Sequence, residues 1–224
     1  MAAVAIYRTT IGQKVIMAVT GFILVLFVIG HMLGNLHAFQ GAQELNAYGA
    51  FLRQVGEPAL SDEQALWTIR IILLVSAVLH IWSAVSLTKL DLESRPVGYR
   101  RKQMINASLA ARTMRYSGVL LAVFIVFHIL HFTTGTLLPG FRPGDVYANV
   151  VRGFSSPLVA LFYVVAMVAL GLHLYHGVWS MFQTLGLNNR GRTRFWGGLA
   201  TLVAVVVALG FVLVPLAVVA RIVR

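Results

Sequence analysis

The chain has 224 residues, of which 58% are hydrophobic and only 11% charged, and its mean hydropathy of +0.81 excludes an ordinary soluble globular domain. Eighteen Lys and Arg against seven Asp and Glu give a net charge of +11, with the basic residues clustered in loops beside apolar runs. That is the pattern of orientation charge in a membrane protein, not of nucleic-acid binding. There is no Cys, which removes disulfides, thiolate metal sites, iron–sulfur ligation on this chain and thioether-linked haem.

The expected fold is an all-α integral membrane protein, one domain over residues 1–224, with five transmembrane helices. The spans are placed at about 14–37, 66–88, 116–138, 157–185 and 195–220. The first is longer than a signal-peptide core and lacks a small-x-small cleavage site, so it is expected to stay attached. The stretch 38–65 carries Leu45, Tyr48, Phe51, Leu52 and Val55 at helical spacing and predicts a short surface helix. From Lys89 to Arg115 runs the largest basic segment, a dock for an acidic soluble partner or for anionic lipid. No charge lies between Arg152 and Arg190, so the fourth helix is expected to be long or tilted. The fifth span has no His and reads as a packing helix, with Gly197, Gly198, Gly210 and Pro215 for contact or a bend. Placing the N-terminus in the cytoplasm puts twelve of the eighteen basic residues inside and six outside, which favours N-in and C-out.

Buried imidazoles are the unusual feature. His31 lies in the first span, His80 in the second, His128 and His131 in the third, His173 and His176 in the fourth. An ionisable side chain at membrane depth needs a partner. Counting from the basic residues at the span ends at ~1.5 Å per residue, His31 and His128 fall in the middle to outer half of the bilayer, and His80 and His173 in the middle to inner half. Two matched depths on four helices fit two bis-imidazole haems b, with neutral ligands and an apolar cleft. Gly30 and Gly34 flank His31, Ser76 and Ser83 lie one turn either side of His80, and Gly177 follows His173, as room for a porphyrin face or as ring-orienting groups. His131 and His176 share a helix face with the neighbouring histidine and stay open to ligation, to contact with a propionate or quinone, or to packing. His37 reads as an interfacial residue near an outer propionate. Arg115 and Lys89 are candidates for inner propionates or, equally, boundary charges.

The segments GQKVIMAVTGFILVLFVIGHMLGNL, LNAYGAFLR, VLHIWSAVSL, ARTMRYSG with FIVFHILHF, and LGLHLYHGVWSMF carry a resemblance that runs nearly end to end. The chain resembles the single-subunit, five-helix, dihaem cytochrome b anchors of succinate dehydrogenase and fumarate reductase, respiratory complex II. The resemblance implies haem iron ligation by His31 with His128 at the distal level and by His80 with His173 at the proximal level. It also implies a flavoprotein subunit that oxidises succinate and an iron–sulfur subunit that relays electrons, both on the cytoplasmic side of a bacterial-type inner membrane. The anchor would exchange those electrons with menaquinone or another quinone, in either direction. Asn35, Tyr48 and Glu57, with Glu44 and Asn46, are the quinone-region candidates. No residue of this chain is expected to be catalytic towards the dicarboxylate, and a higher oligomer is left open. Two other readings remain from the residues themselves: a transporter whose histidines bind metal or relay protons, and the cytochrome b subunit of a hydrogenase or formate dehydrogenase.

Overall fold

A computed structural model of the chain describes residues 9–94 and 109–224. Arg8, Arg95, Arg100, Arg101 and Lys102, and with them most of the basic segment, lie outside the described residues. Helix α1 (Thr10–Asn35) starts where Thr9 Oγ1 accepts the Gly12 N–H at 3.0 Å, an N-cap, and ends in a tight 3-10 turn, Leu36–Gln40. The expected surface helix follows as α2 (Ala42–Gln54). Then come α3 (Gln64–Glu93), α4 (Leu109–His128), α5 (Val146–Phe154), α6 (Pro157–Thr184) and α7 (Thr193–Val219). Five of these, α1, α3, α4, α6 and α7, are long and apolar enough to cross a membrane.

The third span stops short of the expected Leu138. After His128 the chain takes a π turn, Ile129–Thr133, closed by the Thr134 N–H donating to Ile129 O at 2.9 Å. Gly135, Pro139 and Gly140 then carry it into loop conformations. Gly140 sits at φ +73°, and a side chain there would also run into the Arg152 guanidinium, so two constraints select glycine.

Helix α5 is absent from the sequence-based expectation. Asp145 caps it by accepting the Ala148 N–H at 3.1 Å, and Asn149 pins the preceding loop by bonding both the N–H and the C=O of Arg142, at 2.9 and 2.7 Å. Its buried face, Val150, Gly153 and Phe154, packs on α6 and α7. Asn46 of α2 grips its start, donating to Asp145 Oδ1 at 3.1 Å and accepting the Tyr147 N–H at 3.0 Å.

Helix α6 is the hub, packed on α7, α4 and α1, while α3 packs chiefly on α1. Lipid tails are as apolar as leucine, so contact between spans depends on close approach of small residues. Accordingly Ala160, Ala166 and Ala169 of α6 and Ala200 and Ala204 of α7 are buried, and Met32 of α1 fills the notch at Gly210. Gly197 and Gly198 have nothing within 4 Å of where a side chain would begin, so of the glycines expected to make helix contacts on α7 only Gly210 does. Large apolar residues face outward instead, among them Leu74, Val119 and Leu209. Trp67 lies at the head of α3 under the Arg70 guanidinium, and Trp196 at the head of α7 stacks on Phe182 at 3.8 Å. Both are amphipathic rings placed where a span meets water.

Candidate functional site

The bundle brings the histidines together in two pairs. The rings of His31 (α1) and His128 (α4) have centroids 5.7 Å apart, and those of His80 (α3) and His173 (α6) are 6.3 Å apart. They occupy two levels. His80 lies against Met17 and Gly21 of α1, and His173 against Ser117 and Gly118 of α4, in each case ten or more residues before the histidine of the other pair. At the helical rise the levels are therefore separated by ~16 Å along the helix axes. The His80–His173 level is the nearer to the face from which α1 starts and is called the inner one below.

Each ring is set by what stands behind it. Met17 O can only accept, so the contact of 3.1 Å places a proton on His80 Nδ1, which donates to it. Thr20 Oγ1, itself donating to Ile16 O, lies 3.4 Å from the same nitrogen. Ser117 donates to Met114 O at 3.0 Å, which turns its oxygen towards the His173 Nδ1–H at 3.3 Å as acceptor. Both inner imidazoles are thereby left with Nε2 unprotonated, the form that ligates a metal. Glycine provides the clearance: a Cβ at Gly21 would sit 3.2 Å from His80 Cε1, and one at Gly118 would sit 3.7 Å from His173 Cε1.

The outer pair is walled by aromatic rings. Phe27 stacks on His31 at 5.2 Å and Phe124 on His128 at 5.7 Å, with Phe211 and Phe132 beside them. Tyr163 of α6 puts its hydroxyl 3.2 Å from His128 Nδ1 and 3.0 Å from His131 Nδ1. His131 is 2% exposed, whereas His176 is half-buried and has no hydrogen bond among the described residues.

The other candidates are placed as follows. Asn35 donates to His31 O at 2.7 Å within its own helix. Tyr48 stacks on His37 at 4.6 Å and fills the notch at Gly34, so that glycine makes room for a tyrosine and not for a cofactor face. Gly30 has nothing within 4 Å of its missing side chain. Asn46 is the tie between α2 and α5 described above, and Glu44 and Glu57 are exposed. Arg115 pairs with Asp91 at 2.8 Å, joining α4 to α3, and Lys89 is exposed. Tyr163, Thr20, Ser117 and Met17 were missed in the sequence. For Thr20 and Ser117 a signal was available: Thr20-Gly21, Phe27, His31 of α1 and Ser117-Gly118, Phe124, His128 of α4 have identical spacing.

Among the described residues no three His, Asp or Glu side chains converge as a metal site. Two imidazoles at a time suit instead a metal that brings its own in-plane ligands. The paired rings, with centroids 5.7 and 6.3 Å apart, are close enough for each pair to share one such metal. Two buried polar atoms have no partner among the described residues: Ser83 Oγ, one turn from His80, and Gln13 Oε1, further towards the start of α1. Orphans of that kind suit the polar edge of a bound group. The residues fit haem.

Fold and site together define a multi-pass helical membrane subunit of the cytochrome b type. Residues 99–214, just over half the chain, match the family model for the succinate dehydrogenase/fumarate reductase transmembrane subunit, and the chain belongs to that family. The matched segment holds His128, His131, His173 and His176, while His31 and His80 precede it. No curated protein and no solved structure matches the chain.

Proposed function

We propose that the chain is the dihaem membrane anchor and electron-transfer subunit of a succinate:quinone oxidoreductase, or of the reverse quinol:fumarate reductase. The observation that carries this is the pairing of four imidazoles from four spans at two levels, at 5.7 and 6.3 Å, inside a chain of this family. Haem supplies one-electron carriage at each level. His31 with His128, and His80 with His173, would hold the iron. Met17, Thr20 and Ser117 hold the inner rings with Nε2 unprotonated, and the phenylalanine wall excludes water from the outer pair.

A flavoprotein subunit and an iron–sulfur subunit dock on the face from which α1 starts, which the excess of Lys and Arg makes the cytoplasmic side of a bacterial-type inner membrane. The dicarboxylate chemistry belongs to that flavoprotein. Quinone binds at the opposite face, near the end of α1, with Asn35, Tyr48 and Glu57 as its candidate contacts; Tyr48 stacks there on His37.

Reduced-minus-oxidised spectra and the haem-to-polypeptide ratio of the purified complex test the reading: two b haems per chain are expected, with flavin and iron–sulfur subunits co-purifying. Replacing His80 or His173 by Ala should remove one haem, and replacing His31 or His128 the other. A colourless preparation, or a hydrogenase or formate dehydrogenase partner, overturns it.

A further inference from the structure

The two outer ligands are not held alike. Among the described residues His31 has ring contacts with Phe27, His128 and Phe211 but no hydrogen bond at a ring nitrogen, whereas His128 meets Tyr163. Tyr163 is 5% exposed and lies ten residues before His173 on α6, which raises it to the outer level. Its hydroxyl oxygen faces two imidazole nitrogens at 3.2 and 3.0 Å and has a single proton to give. At least one of the two rings must therefore donate to it. For a ligand that uses Nε2, the donor is the His128 Nδ1–H, which leaves the phenol proton for His131 Nδ1 when that nitrogen carries none. His131 is 2% exposed and occupies the π turn that ends α4, a local departure from the regular helix of a kind often found at functional sites.

We infer that Tyr163 is a positioning residue for the outer haem ligand, acting as the middle of a donor chain from His128 through Tyr163 to His131. This rests on the haem reading above. The chain fixes the rotation and tautomer of the His128 ring. By accepting its Nδ1–H, the phenol makes the imidazole a stronger donor, and the acceptor at His131 strengthens that bond in turn. A more basic axial ligand favours oxidised iron, so the outer haem is held at a lower potential than an unanchored imidazole would give. His131, on this account, supports a ligand without being one.

The test is a redox titration, with the EPR spectrum of each haem, on the purified complex carrying Tyr163→Phe. The outer haem is assigned as the one lost in the His31→Ala variant. Both haems are expected to remain. The outer one should shift upward so that its reduced-to-oxidised ratio at a fixed poise rises about tenfold, equivalent to about 59 mV for one electron, with the inner haem unmoved. His131→Asn, which leaves the phenol in place, should move the outer haem in the same direction by less. It serves as the deciding variant if Tyr163→Phe fails to assemble. An outer haem of unchanged potential and EPR spectrum in the assembled variants, or an equal shift at both haems, overturns the inference. Absence of haem from the unaltered complex would instead overturn the reading beneath it.

Discussion

A neutral imidazole offers a metal only the nitrogen that lacks a proton, so the group behind the other nitrogen decides whether a buried histidine is ready to bind. The inner histidines have unequal support. His80 Nδ1 has two oxygens within reach, Met17 O at 3.1 Å and Thr20 Oγ1 at 3.4 Å, and loses little if the second goes. His173 has Ser117 Oγ alone among the described residues, at 3.3 Å. Thr20→Val should therefore leave the inner haem at full occupancy. Ser117→Ala strands a buried N–H at a cost of about 1–3 kcal/mol and should weaken inner-haem retention on detergent washing by tenfold or more. Pyridine haemochrome titration of the washed complexes makes the comparison. The histidines themselves are legible from one sequence, because a titratable residue in an apolar run announces itself. Their supports are not, because Ser117, Thr20 and Tyr163 lie on other helices than the rings they face, and only the rotation of one helix against another brings them there. For the same reason the tie that Asn46 makes between α2 and the start of α5 is not visible in the sequence.

At the scale of elements the molecule repeats itself. Helices α1 and α4 share the hydroxyl-glycine, phenylalanine and histidine positions. Helices α3 and α6 share LHIWSAV and LHLYHGV, in which Ser83 occupies the place of His176. In each half, the helix with the outer histidine supplies the oxygen that holds the inner histidine of a neighbouring span. Where the repeat gives out, the sequence misleads. The π turn after His128 shortens the third span, and the nine residues of α5 are too few for hydropathy alone to separate from loop. Its cap secures the first turn of α5, and that cap titrates. The Ala148 N–H first, and the Asn46 amide second, hold the Asp145 carboxyl below its ordinary value of 3.8. A depressed pKa stabilises the folded form above the unfolded value, and the contribution is lost as pH falls through the lower folded value. Hydrogen exchange should accordingly show the first turn of α5 protected at neutral pH and progressively less so as pH falls from about 4. Asn46→Ala should open it at every pH, and protection that survives that substitution at pH 7 would show that Asn46 does not secure the helix.

For the whole molecule the consequence concerns α3. Four spans interlock through α6 or α7, but α3 rests chiefly on α1, and its backbone makes no extensive contact with α6, although His80 and His173 meet ring to ring. A group bound between those two rings would thus be a bridge across a gap that the protein does not close by packing. Ligands that bind only the folded arrangement stabilise it by mass action, and the gain falls on whichever element they secure. The outer pair is different, because α1 and α4 are each already packed on α6. His173→Ala should then lower the hydrogen-exchange protection of Gln64–Glu93 well below that of the unaltered complex. His128→Ala, which breaks the outer pair on helices that need no bridge, should leave that segment close to normal. Protease sensitivity in the α2–α3 connection, residues 55–63, should follow the same order. Equal loosening of α3 in the two variants would mean that packing on α1 is enough to hold it and that a group bound at the inner site does not brace the bundle.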